Sequence, residues 1–372
     1  MRASETGPGP EKSRPQHLRH LITGVIIAVV SLACGIGALE LGVRFLRPQK
    51  QFTCTVNAWD RTRGTKQMEG ARGFVVIPEY SINLVINSKG LRDREYPYAK
   101  PEETRRILCL GGSFTCGYGV EAGDTYAKVL ERTLKAGAGG PRWEVLNAGV
   151  GSTGTANHVA FYEVEGYKYK PDLIFLDFCQ NDFHDNVISG LYTLENGSLV
   201  KHDAPSTIWR RVQSLVRFVP GYRGIFARSQ LLNFVKVRVA KRHFHRLDAM
   251  AQRAESEADL RAAEDALTRA LVLSLRRTCE QGGARLVVVF MPRVDYGDWP
   301  KATLELMDFL NAQGIPLVDL APAFKQEADR GVELAYPQDH HWNKAGHELA
   351  AKVLYGFVEA NYARLGPLTG AQ

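Results

Sequence analysis

The chain has 372 residues, enough for one large domain or two small ones, and its apolar and charged fractions are those of an ordinary globular protein. Its net charge of +7 is modest for this length, and it shows no zinc-finger, RNA-recognition or basic-zipper pattern. We therefore expect no nucleic-acid partner. The six cysteines show no C-x-x-C spacing, which argues against a zinc cage or a dithiol redox site.

The N-terminal part contains one long uncharged segment after a polar tail over residues 1–20. Residues 21–39 carry no charge, and a helix of that length spans about 28 Å, close to the hydrocarbon core of a bilayer. We therefore predict a single membrane anchor over residues 21–43. A cleaved signal peptide is the alternative, because residues 31–33 (Ser-Leu-Ala) resemble a cleavage site. Basic residues flank the segment on both sides, so the charge pattern does not decide its orientation.

A lead-in segment over residues 44–104 precedes the main domain, which we place over residues 105–365. In the lead-in segment, residues 80–87 predict a strand, followed by a turn at 88–90. In the main domain, short apolar runs alternate with helical patterns, which predicts a parallel, doubly wound α/β sheet with helices on both faces. The predicted strands are 106–110, 143–148, 173–178, 285–291 and 316–320. The predicted helices are 125–135, 156–168, 249–281, 301–312 and 344–363.

A basic insertion interrupts this alternation at about residues 185–247, and we predict it to be helical. Its later part, residues 204–247, contains ten Lys and Arg residues and no Asp or Glu, with aromatic and aliphatic residues interleaved. One interpretation is a solvated helical cap with a basic face. The other is an amphipathic surface that contacts anionic lipid or an anionic polymer, which would make the membrane a second partner of this segment.

A serine follows the first predicted strand of the main domain. Ser113 comes after Gly111 and Gly112, and glycines permit a tight turn and close approach of a substrate to the backbone. With a base nearby, its hydroxyl is a candidate nucleophile, although a serine at this place can also simply cap a helix. The segment differs from the G-x-S-x-G elbow of α/β-hydrolases because Thr115 replaces the second glycine of that pattern.

An aspartate and a histidine lie two residues apart just before the last predicted helix. We predict that His341 is the general base and that Asp339 orients it, as the carboxylate does in a serine triad. The alternative is a polar turn before a helix capped by Asn343. Asp339, His341 and His347 are possible metal ligands, but no fourth ligand is evident, so we predict no metal.

Two further segments supply candidate donors for an oxyanion. Asn181 follows the strand at 173–178, and we predict that its side-chain amide stabilises the developing negative charge. We expect the other donors to be the backbone amides of Ser113 and of the turn at Gly151 and Ser152. Nucleophile, base and oxyanion donors together are what acyl transfer requires.

Two other classes of function remain open. Residues 149–154 read GVGSTG, a G-x-G-x-x-G match between a strand and a helix, and Asp177 at the end of the next strand is placed to hold a ribose. This NAD-type interpretation leaves Ser113, Asn181 and the Asp339/His341 pair without a role, so we predict no cofactor. A catalytically silent membrane module is the third class, and the presence of all these polar residues argues against it.

The four segments together resemble the SGNH/GDSL hydrolases, from about residue 105 to residue 365. Ser113 matches the first block of that family, Asn181 the third, and Asp339 with His341 the last. Ser152 stands where the second block usually has its last glycine, and the Asp–His spacing is two rather than the commoner three. The resemblance implies a flavodoxin-like three-layer α/β/α fold and either hydrolysis of an O-acyl ester or acyl transfer on the same scaffold, with a glycan or lipid ester as substrate.

The lead-in segment carries a more specific part of the resemblance. Residues 83–92, which end in Gly-Leu-Arg, followed by Gly-Tyr-Gly-Val at 117–120, resemble a membrane-anchored or exported bacterial subset of the family. This resemblance implies that the catalytic domain lies outside the cytoplasm, in the periplasm.

Overall fold

The structure, a computed structural model, describes residues 14–47, 49, 51–52, 56–137, 142–204, 228–235, 238, 257–293 and 299–361. The strands are β1 (Gln51–Phe52), β2 (Asn57–Asp60), β3 (Gly64–Gln67), β4 (Arg72–Val76), β5 (Ser81–Val85), β6 (Thr104–Leu110), β7 (Arg142–Asn147), β8 (Leu173–Phe178), β9 (Tyr192–Glu195), β10 (Ser198–Lys201), β11 (Arg285–Phe290) and β12 (Leu317–Asp319). The helices are α1 (Arg14–Leu46), α2 (Ser113–Cys116), α3 (Tyr126–Ala136), α4 (Thr155–Val164), α5 (Asp182–Ser189), α6 (Glu257–Gln281), α7 (Lys301–Ala312), α8 (Ala321–Asp329) and α9 (Lys344–Asn361).

A five-stranded sheet forms the centre of the main domain, in the spatial order β12-β11-β8-β6-β7. Every neighbouring pair in it is parallel. The first strand along the chain, β6, lies inside the sheet; the next, β7, pairs on one side of it and β8 on the other. The direction of winding therefore reverses between β6 and β8, and this reversal opens a crevice at their carboxyl ends. The predicted SGNH-type α/β fold is confirmed.

The strands are apolar on both faces because helices cover both faces. In β6, Ile107 and Cys109 belong to one core cluster while Leu108 and Leu110 belong to the other, as the two-residue period of a strand requires. The first cluster includes buried side chains of α3, α8 and α9, and the second includes those of α4, α6 and α7. This double coverage explains why β8 is buried at every position.

Most of the elements predicted from the sequence are present in the structure. The predictions fail in two ways: short helices were missed, and part of the insertion was predicted as helix but forms a hairpin. The strand at 173–178 and the helix at 301–312 have the predicted bounds, whereas α5 and α8 were not predicted. The prediction that the insertion is helical is wrong over 192–201, where β9 and β10 form an antiparallel hairpin. Asn196 and Gly197 both have positive φ in its two-residue turn, the signature of a type I′ hairpin. Most of the basic stretch, residues 205–227, 236–237 and 239–247, lies outside the described residues, so the basic surface stays a prediction.

The lead-in segment forms a small antiparallel unit. β4 pairs with β1 and β5, and β2 pairs with β3. Val75, Ile82, Leu84 and Ile86 are buried in a core cluster separate from those of the main sheet. The predicted turn at 88–90 is present, with Asn87 Oδ1 accepting the Leu91 amide at 2.9 Å.

The N-terminal helix α1 contains the predicted anchor. Its part from residue 19 to 46 is long and apolar enough to cross a membrane, and none of its most apolar window is buried in the protein. A signal sequence has the same properties. Near its C-terminal end, Glu40 accepts hydrogen bonds from the Ser229 hydroxyl and from the amides of Gln230 and Leu231, at 2.8 to 2.9 Å. Part of the insertion therefore rests against the end of this helix.

A buried ion pair joins β6 to β7. Arg106 Nε lies 2.7 Å from Glu144 Oε2, and the two side chains are 0% and 3% exposed. Nη1 of Arg106 also donates to the carbonyls of Tyr98 and Tyr169. Removing one member of such a pair leaves a buried charge and several carbonyls without their partner.

We expect Arg106→Met to lower the free energy of unfolding by about 3 kcal/mol, because Glu144 then loses its closest cation in a buried place. The measurement is urea unfolding followed by tryptophan fluorescence. The matched control is Arg105→Met, whose side chain is 26% exposed and pairs with Asp172 at 3.4 Å. That variant is expected to lose less than about 1 kcal/mol. Equal losses in both variants would contradict the role given to the buried pair.

Candidate active site

The nucleophile segment is held tightly at the end of β6. Ser113 begins the short helix α2, directly after Gly111 and Gly112. A Cβ atom on Gly111 would overlap Thr115 Oγ1 and lie 2.8 Å from Asp177 Cβ, so only glycine fits at this position. This close packing places the Ser113 hydroxyl at the carboxyl edge of the sheet.

Three of the predicted site residues form one hydrogen-bonded chain. His341 Nε2 lies 2.8 Å from Ser113 Oγ, and His341 Nδ1 lies 2.5 Å from Asp339 Oδ2. The side chains of His341 and Asp339 are 21% and 5% exposed. The carboxylate is therefore almost buried, while the imidazole and the serine hydroxyl remain open to a substrate.

The loop that carries His341 is fixed by its next two residues. The ring of Trp342 is fully buried between Phe114 and Phe324, with ring centroids 4.8 and 4.7 Å apart, and its Nε1 donates to the Pro292 carbonyl at 3.0 Å. Asn343 Oδ1 accepts the amide of Gly346 at 3.1 Å and so caps α9. The segment therefore caps a helix, and the same loop brings Asp339 and His341 next to Ser113.

Two of the predicted oxyanion donors contact other protein groups in the structure. Asn181 lies just before α5, at the end of β8 next to β6, but its Nδ2 donates to Asp185 Oδ2 at 2.6 Å. The Gly151 amide contacts the buried thiol of Cys116, whose pKa burial raises. Ser152, which stands where a glycine was expected, has a φ of +63°, in the left-handed region that glycine adopts most easily.

Two aromatic residues of the site were not found by sequence reasoning. The Tyr80 hydroxyl donates to Asp339 Oδ2 at 2.8 Å, across 259 residues of sequence. The ring of Tyr118 lies edge-on to the His341 ring, with centroids 5.5 Å apart. The sequence carries no local signal for either contact, because Tyr80 reads only as the start of a strand and Tyr118 as part of a turn.

Asp177 is not placed to hold a ribose. It is 2% exposed, and its Oδ2 accepts hydrogen bonds from the Thr115 and Tyr126 hydroxyls. The glycine-rich turn at 149–154 is also occupied by the protein, because a Cβ on Gly149 would lie 2.5 Å from the Thr115 carbonyl carbon. These contacts argue against the dinucleotide interpretation: the turn packs against α2 rather than forming a phosphate cradle.

The third candidate metal ligand is engaged elsewhere. His347 is fully buried, its Nδ1 accepts the amide of Tyr126 at 3.1 Å, and burial lowers its pKa to about 3. Among the residues that the structure describes, no group of three or more His, Cys, Asp or Glu side chains is arranged to hold a metal ion.

The Asp177 carboxyl gives folding stability a pH dependence. Burial raises its pKa from 3.8 to about 7, and the hydrogen bonds from Thr115 and Tyr126 lower it only in part. Between these two values the folded state holds a proton that the unfolded state has lost. The contribution of Asp177 to stability therefore falls as pH rises through this window.

We expect the Asp177→Asn variant to lack this loss of stability with rising pH, because an asparagine side chain cannot ionise. The difference in unfolding free energy between variant and wild type should shift in favour of the variant as pH rises from about 4.5 to about 7.5. Urea unfolding at both pH values measures it. Other titrating groups, such as His158 with its pKa lowered to about 3 by burial, are present in both proteins and cancel in the difference. A difference that does not change with pH would contradict this assignment.

Comparisons with known proteins show the family of the chain. Residues 109–349 match the model of the GDSL-like lipase/acylhydrolase family. None of the curated proteins compared with the chain matches it. Among solved structures, a two-domain esterase active on acetylated mannans, co-crystallised with mannopentaose, is 18% identical, with a TM-score of 0.41 over 72% of this chain and 53% of that one. This chain thus spans about half the length of that esterase.

Two further solved structures are also similar to the chain. A catalytic mutant of the acetylxylan esterase Axe2 from Geobacillus stearothermophilus is 16% identical, with a TM-score of 0.39 over 70% of this chain and 94% of that one. A lipase/acylhydrolase from Enterococcus faecalis is 15% identical, with a TM-score of 0.38 over 72% of this chain and all of that one. The family model covers well over half of the chain. The protein therefore belongs to the GDSL-like lipase/acylhydrolase family, whose members are ester-hydrolysing enzymes.

Proposed function

We propose that the protein cleaves O-acyl esters through an acyl-enzyme intermediate on Ser113. The observation that carries this proposal is the unbroken chain of hydrogen bonds from Asp339 through His341 to Ser113, with distances of 2.5 and 2.8 Å. Each bond lies within the range needed for a base to take the nucleophile's proton. The chain sits at the carboxyl edge of the sheet, where folds of this type bind ligands.

In the acylation step, Ser113 Oγ attacks the ester carbonyl while His341 Nε2 takes the hydroxyl proton. The resulting imidazolium is stabilised by the Asp339 carboxylate, which accepts a hydrogen bond from the Nδ1–H group. The tetrahedral intermediate then collapses: the bond to the leaving alkoxide breaks, and His341 gives that oxygen the proton. An alcohol leaves, and Ser113 carries the acyl group.

The oxyanion of the tetrahedral intermediate needs donors near Ser113. The Ser113 amide is the first of α2, so it has no acceptor within that turn. An asparagine amide has two N–H groups, and Asp185 accepts a hydrogen bond from one of those of Asn181, which leaves the other for the oxyanion. We assign the Ser152 amide as the third donor in place of Gly151, because the Gly151 amide contacts Cys116.

In the deacylation step, His341 deprotonates a water molecule, which attacks the acyl carbonyl. Ser113 leaves with the proton returned by His341, and a carboxylic acid is released. If an acceptor alcohol takes the place of water, the same intermediate yields acyl transfer. We propose an O-acylated glycan or a lipid ester as the substrate, since these are the esters that a membrane-held site would meet.

We also propose that α1 anchors the protein and that the catalytic domain is periplasmic. Support comes from the length of α1 and from its most apolar window, none of which is buried in the protein. Glu40, the first charge after the apolar stretch, binds the amides of Gln230 and Leu231 and pairs with Arg44 at 3.1 Å. With α1 as the anchor, residues 228–235 would lie close to the point where the helix leaves the bilayer.

Ser113→Ala is expected to abolish hydrolysis of p-nitrophenyl acetate, because no nucleophile remains. His341→Ala should be nearly as inactive, since members of a triad act as a unit, and Asp339→Asn should be equally or less damaging. Asn181→Ala should lower kcat by about 10²–10³-fold. The measurements are initial rates on esters of graded acyl length, with and without added alcohol acceptors to separate hydrolysis from transfer.

The controls are Ser198→Ala and His202→Ala in the region of the β9–β10 hairpin, which remove the same side chains far from the site. Both should retain the wild-type rate. Wild-type rates in Ser113→Ala would rule out the acyl-serine mechanism.

The anchor is tested in a Gram-negative host that expresses the full chain. An uncleaved anchor predicts a full-length intact mass in the membrane fraction after alkaline extraction, because the apolar helix stays in the bilayer. If the catalytic domain is periplasmic, added protease should digest it in spheroplasts as well as in lysed cells. A mature chain shortened near residue 33 would support the signal peptide instead, and protection in spheroplasts would place the domain in the cytoplasm.

A further inference from the structure

The lead-in segment packs directly against both ends of the catalytic chain, although it precedes the part that matches the family model. Its core cluster is in contact with Tyr118 and Tyr336, which belong to the two loops around His341. The rings of Tyr80 and Tyr336 pack with centroids 4.8 Å apart. The Tyr336 hydroxyl in turn donates to the Gly119 carbonyl at 2.9 Å, so the two loops are tied to each other beside the lead-in segment.

At the Asp339 end of the hydrogen-bonded chain, two neighbouring residues of the lead-in segment contact the loop before His341. The Tyr80 hydroxyl donates to Asp339 Oδ2 at 2.8 Å, and Glu79 Oε1 accepts the amide of Gln338 at 2.9 Å. The same Oδ2 atom faces His341 Nδ1. Tyr80 is only 8% exposed, so water competes little for this hydrogen bond.

On the nucleophile side, Arg92 of the lead-in segment holds the end of α2. It is 1% exposed, and its Nη1 donates to the carbonyls of Cys116 and Gly117 at 2.8 and 2.7 Å. Its Nη2 donates to the carbonyls of Asn83 and Val120, both at 2.9 Å. One buried guanidinium therefore joins β5 to the turn that follows the nucleophile.

From these contacts we propose that Tyr80 is a positioning residue for catalysis: its hydroxyl holds the Asp339 carboxylate in the orientation that His341 needs. The inference rests on the proposed triad. A carboxylate that rotates freely about its Cβ–Cγ bond can turn either oxygen towards His341. A second hydrogen-bond donor on Oδ2 selects the orientation in which Oδ2 faces the imidazole. A hydrogen bond to a charged group is among the stronger ones in a protein, so its loss should be visible in the rate.

The test compares the full-chain variants Tyr80→Phe and Tyr192→Phe. Tyr80→Phe keeps the ring that packs on Tyr336 and removes only the hydroxyl. We expect kcat on p-nitrophenyl acetate to fall by about tenfold to a hundredfold with KM unchanged, because the bound ester does not touch Tyr80. Tyr192→Phe removes a matched hydroxyl–carboxylate bond, to Glu163 Oε2 at 2.9 Å, in the β9 strand away from the site. It should leave kcat and KM at wild-type values.

A spectroscopic measurement separates positioning from a general loss of structure. The proton between His341 Nδ1 and Asp339 should give a downfield proton NMR signal that moves in Tyr80→Phe and not in Tyr192→Phe, while the melting temperatures of both variants stay within a few degrees of each other. A wild-type kcat in Tyr80→Phe, or equal losses in the two variants, would overturn the inference. A wild-type rate in Ser113→Ala would instead overturn the proposed triad itself, so the two failures are distinguishable.

Discussion

The hydrogen bond between Ser113 and His341 joins two positions that are 228 residues apart in the chain. Bringing them within 2.8 Å, and keeping them there, requires that two loops from opposite ends of the domain be rigid. Neither loop is rigid by itself, because backbone outside regular structure has few hydrogen bonds of its own. The surrounding packing therefore decides whether the site exists.

The parallel sheet solves the first half of this problem. Its winding reverses between β6 and β8, so the segments after these two strands lie side by side at one edge. The absence of a Cβ on Gly111 lets α2 pack directly against β8 at Asp177. The carboxyl of Asp177 is closed off from water and accepts hydrogen bonds from the Thr115 and Tyr126 hydroxyls, so it joins β8 to α2 and α3.

Buried side chains next to the catalytic groups solve the second half. Trp342 directly follows His341 and is fixed between two phenylalanine rings, which anchors the loop to the core. The lead-in segment then contacts both loops: Tyr80 donates to Asp339, and Arg92 donates to the carbonyls at the end of α2. Its own core is separate from the two clusters of the main sheet. The segment also contributes Leu91 and Tyr96 to a core cluster of the main sheet, and its own cluster packs against Tyr118 and Tyr336.

The amino-acid sequence by itself predicted a parallel α/β sheet, and it singled out Ser113 as the candidate nucleophile and Asp339 with His341 as its candidate partners. These depend on local features: apolar runs, glycines next to a serine, and polar residues at strand ends. The β9–β10 hairpin also has a local signal, the Asn196–Gly197 turn, which the prediction of a helical insertion did not use. Only the tertiary structure decided that Tyr80 binds Asp339 and that Asp185 holds Asn181. The hydrogen bond from Tyr80 spans 259 residues, and a contact between such distant positions depends on how whole elements pack, so it leaves no pattern in either local sequence. Asp185 lies only four residues from Asn181, but its role depends on where β8 delivers both residues at the edge of the sheet.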